Sequence, residues 1–317
     1  MPYAYPFRPI TWITHAACQQ HEMGAEHPES PQRLIAIEDR LQTEGISDSL
    51  HRMEAPVVSV QDLERVHSQE HVKHMLAALP GAEGIAIDPD TRMTEHTLAA
   101  ALRAAGAGVL AVDRALKEEA GLAFCAVRPP GHHAERARAM GFCFFNTVAV
   151  AAGDALALGL KRVAIVDFDA HYGNGTADIF KHDARVLICS TYQDPLYPFW
   201  AGAPDAGNLV DVPLRAYAGS AAFRAAVSEQ WLPRLESFRP ELLLVSAGFD
   251  AHAQDPLADL RLSTDDFRWI GAVIQGVAEA CCQGRVVAML EGGYDLGALA
   301  GSVCAFLQPF LGEPGQL

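Results

Sequence analysis

The segment Val163-Ala164-Ile165-Val166-Asp167-Phe168-Asp169-Ala170-His171-Tyr172-Gly173-Asn174-Gly175 most constrains what this chain can fold into. Four apolar residues run straight into Asp167, Asp169 and His171 at alternate positions. An apolar run of that length after a helical pattern reads as a strand buried on both faces. In extended backbone, residues two apart point the same way, so the two carboxylates and the imidazole share a face at the strand's C-terminal end. Open α/β sheets bind ligands at that rim. Carboxylate oxygens and an imidazole nitrogen meeting at one point suit a divalent ion, with zinc, iron, cobalt and manganese all chemically acceptable. The same acidic residues would serve equally well as the N-cap of the next helix. The rest of the chain decides between the two readings.

The pattern recurs. Thr11 to Thr14, Leu122 to Val127, Val186 to Thr191, Leu242 to Ser246 and Val286 to Leu290 are further strand-like runs. Nearly all of them end in loops carrying glycine with ionisable or aromatic residues: Arg128 to Glu135, Tyr192 to Gly202, Ala247 to His252 and Glu291 to Asp295. Helical patterns lie between them. Ser30 can cap a helix with Pro31 at its first position. Val66 to Leu79 reads as a helix bearing His67, His71 and His74 on a solvated face, and an Ala-rich helix spans Glu95 to Glu119. His15, His21 and His27 fall in a polar loop and read as solvated. Alternating β and α with all polar ends on one side describes a parallel, doubly wound α/β sheet in three αβα layers. No linker or internal repeat interrupts residues 1–317, which read as one domain.

Bulk properties exclude several roles. The formal net charge of −15 argues against nucleic-acid binding, which requires basic patches to neutralise phosphates; basic peptides and polyamines are compatible partners. Seven cysteines without a C-x-x-C pair read mostly as reduced core thiols, which points to a reducing, cytoplasmic setting. Met1 to Ile10 lacks the apolar core of a signal peptide. Leu98 to Leu116 contains Arg103 and Asp113 and reads as a buried amphipathic helix, so no membrane association is expected. A homo-oligomer is compatible with this composition.

Suppose Asp169, His171 and Asp250 bind one ion. Three protein ligands then leave a position for water and substrate. The tandem His132-His133 would supply acid–base chemistry near neutral pH. Tyr294, following Gly292-Gly293, would donate its hydroxyl to a developing oxyanion. Phe142 and Tyr197 would wall a narrow apolar channel. These parts describe metal-assisted hydrolysis of an amide.

Arg128-Pro-Pro-Gly-His-His-Ala-Glu135, Gly141-Phe-Cys-Phe-Phe-Asn146, Asp167-Phe-Asp-Ala-His-Tyr-Gly-Asn-Gly-Thr176, Ser246-Ala-Gly-Phe-Asp250, Asp255-Pro-Leu257 and Glu291-Gly-Gly-Tyr294 together resemble the histone deacetylase superfamily, especially its class II-like and bacterial members. The resemblance covers about His15 to about Leu311. It implies the arginase/deacetylase fold, with a central, mostly parallel sheet of about eight strands. It implies zinc at Asp169, His171 and Asp250, His133 as general base with His132 as its electrostatic partner, and Tyr294 on the acetyl carbonyl. It places Gly141, Phe142 and Tyr197 along an acyl-lysine tunnel, with Leu257 and Gly292 beside it. It also implies potassium, at Asp167, Asp169, His171 and Ser190, and again near Phe180, Asp183 and Val186. Asp167 as His132's partner favours a charged ring, whereas Asn174, where class I members carry Asp, leaves His133 more easily neutral.

The resemblance leaves a choice of substrate. Leu257 stands where eukaryotic polyamine enzymes carry an acidic gatekeeper, which favours acyl-lysine over acetylpolyamine. Gly173 and His252 stand where a two-manganese ureohydrolase needs Asp. The full set of ligands, histidines and Tyr294 argues against a non-catalytic acyl-binding module. Tyr172, where the family usually has a second His, is expected to have little catalytic effect. Pro198 to Gly202 departs from the family pattern at the tunnel mouth. Iron suits the ligand set as well as zinc does.

Overall fold

The structure, a computed structural model, describes residues 10–81, 83–117, 121–199 and 206–311. Eight strands form one sheet: β1 (Ile10–Thr14), β2 (Leu50–Glu54), β3 (Leu122–Cys125), β4 (Val163–Asp167), β5 (Val186–Gln193), β6 (Leu209–Leu214), β7 (Leu242–Ala247) and β8 (Val286–Leu290). Their order is β2-β1-β3-β8-β7-β4-β5-β6. Every neighbouring pair is parallel. Six of these strands match the apolar runs. In β3, β4, β7 and β8 every residue is buried, which is why their sequences read as continuous apolar runs. The two that the pattern did not reveal, β2 and β6, are the sheet edges, and they are only partly buried. β6 also carries Pro213, which an edge strand tolerates because its outer side makes no ladder bonds.

Helices cover both faces. Labelled helices are α1 (Gln32–Thr43), α2 (Gln69–Ala77), α3 (Thr97–Lys117), α4 (Thr147–Ala157), α5 (Asn174–Phe180), α6 (Thr264–Cys281) and α7 (Leu296–Leu307). α3 packs on α4, while α7 packs on both α1 and α6. None of the described helices is long and apolar enough to cross a membrane. Residues Glu118 and Glu119 of the expected long helix lie outside the described residues.

Register brings the functional ends level. Asp167 at the end of β4 pairs with Ser190 of β5 and Ser246 of β7, and Leu290 of β8 pairs with Ala247 of β7. Parallel strands ending at one height put their outgoing loops around a common floor.

Four sequence expectations are corrected. α1 begins at Gln32, with Pro31 at the cap position and no side-chain cap bond from Ser30. The expected helix over Val66 to Leu79 is broken, because Ser68 caps a new helix by accepting His71 N–H. His67 and His71 are buried rather than solvated; only His74 faces water. His67 accepts Asn146 N–H at Nε2 (2.9 Å), so its Nδ1 carries the proton and donates to Glu135 O (3.0 Å). His71 Nε2 donates to Phe144 O. The two rings therefore clamp the loop that leads from the tandem histidines into α4.

His21 is likewise buried, with Nδ1 2.9 Å from Thr97 Oγ1. It adjoins a buried charge cluster beneath the rim. Glu29 takes bonds from Arg33 Nη1 (3.1 Å) and Arg128 Nη2 (2.7 Å). Burial alone would raise the Glu29 carboxyl, but Arg128, His21 and Arg33 outweigh it and bring it down to about 2. His21 Nε2 lies 3.5 Å from the same carboxylate, yet burial keeps this ring neutral, down to about 4. Arg33 Nε also donates to Gly293 O (2.7 Å) and its Nη2 to Glu291 O, fixing the loop after β8 from below.

His67 yields a test of this reading. Burial, with His71 next to it, lowers the ring to about 3. The unfolded ring titrates near 6.5, so the unfolded state binds the extra proton first. The stability that the neutral ring contributes is whole above about pH 6.5 and falls as pH drops toward 3, by about 1.4 kcal/mol per unit. The stability difference between the native chain and a His67→Gln variant, from urea unfolding, is expected to shrink by roughly 2 kcal/mol between pH 7 and pH 5. A difference that stays constant across that range would show that His67 is not held neutral.

Candidate metal and catalytic site

Beyond Asp167 the chain leaves the sheet, and Asp169 and His171 turn toward Asp250 from the loop after β7. One oxygen of each carboxylate and one ring nitrogen of His171 lie within 4.8 Å of one another, all buried. His171 Nδ1 is 2.8 Å from Asp250 Oδ2 and 3.2 Å from Asp169 Oδ1. Backbone N–H groups orient the carboxylates: Ala170 N donates to Asp250 Oδ1 (2.7 Å) and Gly292 N to Asp169 Oδ2 (2.8 Å). Glycine is required in the walls. A Cβ on Gly248 would sit 2.1 Å from Asp169 Oδ2, and one on Gly292 2.3 Å from Asp250 Oδ2.

The charge balance also fits a cation. Burial opposes charge on His171, but Asp250 and Asp169 outweigh it and push the ring up to about 10. Burial and Asp169 raise Asp250 to about 7. The trio thus holds a proton where a divalent ion would bind. Among the described residues this is the one cluster of its kind. Gly173 and His252 supply no second set: the His252 ring stacks on Phe267, and its Nδ1 accepts Gln254 N–H.

Asp167 serves the neighbouring His132, as the resemblance implied, and does not join Asp169 and His171 in the ligand cluster. Its Oδ2 is 3.0 Å from His132 Nδ1, and its Oδ1 accepts Asp169 N–H. Burial pulls His132 down, yet Asp169, Asp167 and Glu291 overcome it and leave the ring well above its ordinary value. His133 behaves oppositely. Burial and the charges of His132 and His171 hold it well below. Its Nδ1 is 2.8 Å from Asn174 Oδ1, while Asn174 Nδ2 donates to Glu135 Oε1 (2.9 Å). The Glu135 carboxylate only accepts, so the Asn174 oxygen must face His133. His133 Nδ1 therefore carries the proton, and Nε2 keeps a free lone pair. The two rings lie 4.1 Å apart by centroids, close enough for one charge to exclude a second.

Gly141, Phe142, Tyr197, Leu257 and Tyr294 line one cavity of about 930 Å³ together with His133 and His171; Gly292 sits behind it, against the carboxylates of Asp169 and Asp250. Tyr197 meets the His133 ring edge-on at 5.2 Å, and Phe142 meets Tyr294 at 6.0 Å. Burial raises the Tyr294 hydroxyl well above its ordinary value, so it remains a donor. Phe142 has φ of +67°, unusual for a residue with a side chain. Asp88 Oδ2 and Thr91 Oγ1 hold it there by accepting Gly141 N–H (3.0 Å) and Phe142 N–H (2.9 Å). Nothing in the spacing of residues 80–93 signals this support. Nor does spacing assign a role to Asp255, whose carboxylate accepts Tyr294 N–H (2.7 Å) and Leu257 N–H (3.0 Å). The acidic turn before Pro256 was the available signal. Tyr172 points away from the cavity and donates to Asp211 (2.9 Å). Phe199 at the expected tunnel mouth is exposed; Trp200 to Gly202 lie outside the described residues.

The potassium expectations divide. Ser190 Oγ is buried without a hydrogen-bond partner among the described residues, beside Asp167 in the sheet. An orphaned oxygen next to a carboxylate fits a monovalent ion. Near Phe180, Asp183 and Val186, by contrast, all three carbonyl oxygens already receive the side-chain amide of Asn208, and a cation does not fit.

The family model for the histone deacetylase domain matches residues 27–309. The chain belongs to the histone deacetylase family. It is 38% identical over 291 residues to the histone deacetylase-like amidohydrolase of Pseudomonas aeruginosa, covering 89% of this chain and 75% of that one. It is 37% identical over 310 residues to the human polyamine deacetylase HDAC10, covering 90% of this chain and 45% of that one. The crystal structure of the HDA15 HD domain matches with a TM-score of 0.88 at 31% identity, covering 96% of this chain and 89% of the other. Hydrolytic deacetylation is the activity class of the family, and the eight-stranded parallel sheet is its fold.

Gly292→Ala tests the metal seat without removing a ligand. Its methyl group would press on both carboxylates. A fall of roughly 10- to 100-fold in zinc affinity is expected, the range typical when groups around a metal site are disturbed. It would be measured by competition with a chelator, with circular dichroism confirming an intact fold. Unchanged affinity would place the ion elsewhere.

Proposed function

We propose that this protein hydrolyses N-acyl amides of lysine side chains, releasing acetate and the free amine. The observation that carries this reading is a single cavity lined by His133, Tyr294 and His171, the last of which belongs to the buried Asp169–His171–Asp250 trio. Asp169, His171 and Asp250 would hold zinc, with iron the alternative, and potassium would sit at Asp167 and Ser190. A bound divalent ion supplies a polarised amide carbonyl and a more acidic water.

The chain's own groups do the rest. His133 Nε2, neutral and unprotonated, takes a proton from the attacking water as the new C–O bond forms. The tetrahedral oxyanion accepts a hydrogen bond from the Tyr294 hydroxyl, which keeps its proton. His133 then returns its proton to the amine nitrogen as the C–N bond breaks. His132, charged through Asp167, holds His133 neutral and stays out of the proton transfer. Phe142 and Tyr197 line the passage and exclude water from an extended aliphatic stem. The free cysteines among the described residues support a reducing compartment such as the cytoplasm.

A second reading, acetylpolyamine hydrolysis, draws on two observations. Asp88 and Asp90 line the same cavity, where a carboxylate can meet a distal ammonium, and HDAC10 is named a polyamine deacetylase. Leu257, apolar and also in the wall, favours acyl-lysine. Acetate release by zinc-loaded protein is expected to be faster with an acetyl-lysine peptide than with acetylputrescine; the reverse order would move the function to polyamines.

Two variants test the chemistry. Tyr294→Phe is expected to lower kcat by roughly 10²–10³, as loss of one oxyanion donor does; intact turnover would remove Tyr294 from the mechanism. Asn174→Asp places a carboxylate on His133 and stabilises its charged form, so the acidic limb of kcat/KM is expected to move to higher pH. An unmoved limb would show that His133 is not the base.

A further inference from the structure

We infer that at the turn between α5 and β5 this chain seats the side-chain amide of Asn208 where a monovalent cation would otherwise gather three backbone carbonyls. Asn208 Nδ2 lies 2.8 Å from Phe180 O, 3.2 Å from Asp183 O and 2.8 Å from Val186 O. Three carbonyl oxygens aimed at one point repel one another and need a positive centre between them. The amide supplies it with two N–H groups, directed at Phe180 and Val186. The longer contact, to Asp183 O, costs little, because that oxygen already accepts Val186 N–H at 3.0 Å. With every oxygen satisfied, no ion is needed. The opposite amide orientation would put Oδ1 against three acceptors, which electrostatics forbids without a cation.

Asn208 is well placed for this. Its own carbonyl accepts Ile188 N–H (2.9 Å), next to the start of the β5–β6 ladder. The same residue therefore ties the edge strand β6 to the last turn of α5, whose first residue is Asn174. A donor attached to the chain is present at a fixed effective concentration, so this anchor does not respond to the ionic composition of the medium. The Asp167–Ser190 seat, with its orphaned hydroxyl, is the contrasting case.

Crystals of the native protein grown in rubidium chloride test the inference through the anomalous signal of rubidium. No peak is expected among Phe180, Asp183 and Val186, whatever is found at Ser190. A peak there, with the Asn208 carboxamide swung out or its oxygen turned inward, overturns the inference. The Asn208→Gly variant opens the seat. It is expected to melt several degrees lower in choline chloride and to regain at least half of that loss in potassium chloride, a larger response than the native chain gives. A variant that loses stability and regains none with potassium also overturns the inference, because the seat would then never accept a cation. Neither readout depends on catalytic activity.

Discussion

Four carboxylates, those of Asp167, Asp169, Asp250 and Glu291, are buried within one rim of the sheet, each 2% exposed or less. Taking charge out of water costs several kcal/mol per group unless a partner compensates. The rest of the site follows from how that cost is met. His132 answers Asp167. Glu291, raised to about 7 by burial, accepts the N–H groups of Gly131 and His132 and a hydroxyl from Ser246. His171 answers Asp250 and Asp169 only by holding a proton well above its usual range. The trio is the part of the rim whose ligand set suits a divalent ion.

The same problem is solved in other ways nearby. Glu29 is answered by two arginines that reach in from α1 and from the loop after β3. Those arginines also grip the backbone around them, so compensating one buried charge fixes the loops that carry the tandem histidines and Tyr294. At the α5–β5 turn, carbonyl oxygens are answered by an amide. Permanent compensation by side chains gives rigidity. Compensation by an exchangeable ion leaves a site that can polarise a substrate. The difference in pKa between His132 and His133 has the same origin: one ring faces a carboxylate, the other an amide, and at 4.1 Å the charge on the first suppresses charge on the second.

Much of this was legible beforehand because it is local. Strands buried on both faces must be apolar throughout, so β3, β4, β7 and β8 announced themselves, and the chemistry followed directly at their ends. The edge strands β2 and β6 are half-exposed and mixed in composition, and their pairing partners alone make them strands. His67 and His71 looked like a solvated helical face because spacing reports which residues share a side, not what covers it. The loop from Glu135 to Asn146 does the covering, and it lies far along the chain. Asp255, Asp88 and Thr91 act through backbone N–H groups of distant residues, a role that leaves no spacing signature.

The sequence by itself determined the sheet class and the rim on which the ionisable residues gather, because alternation and strand-end position are properties of neighbouring residues. Only the tertiary structure decided that the Asp167 carboxylate meets His132 through Oδ2 and the Asp169 N–H through Oδ1, which way the Asn174 amide faces, and that the Asn208 amide meets the carbonyls of a seat expected for potassium. Each of these depends on which donor meets which acceptor across 20 residues or more, and hydrogen-bond geometry at that range is set by packing rather than by the order of residues along the chain.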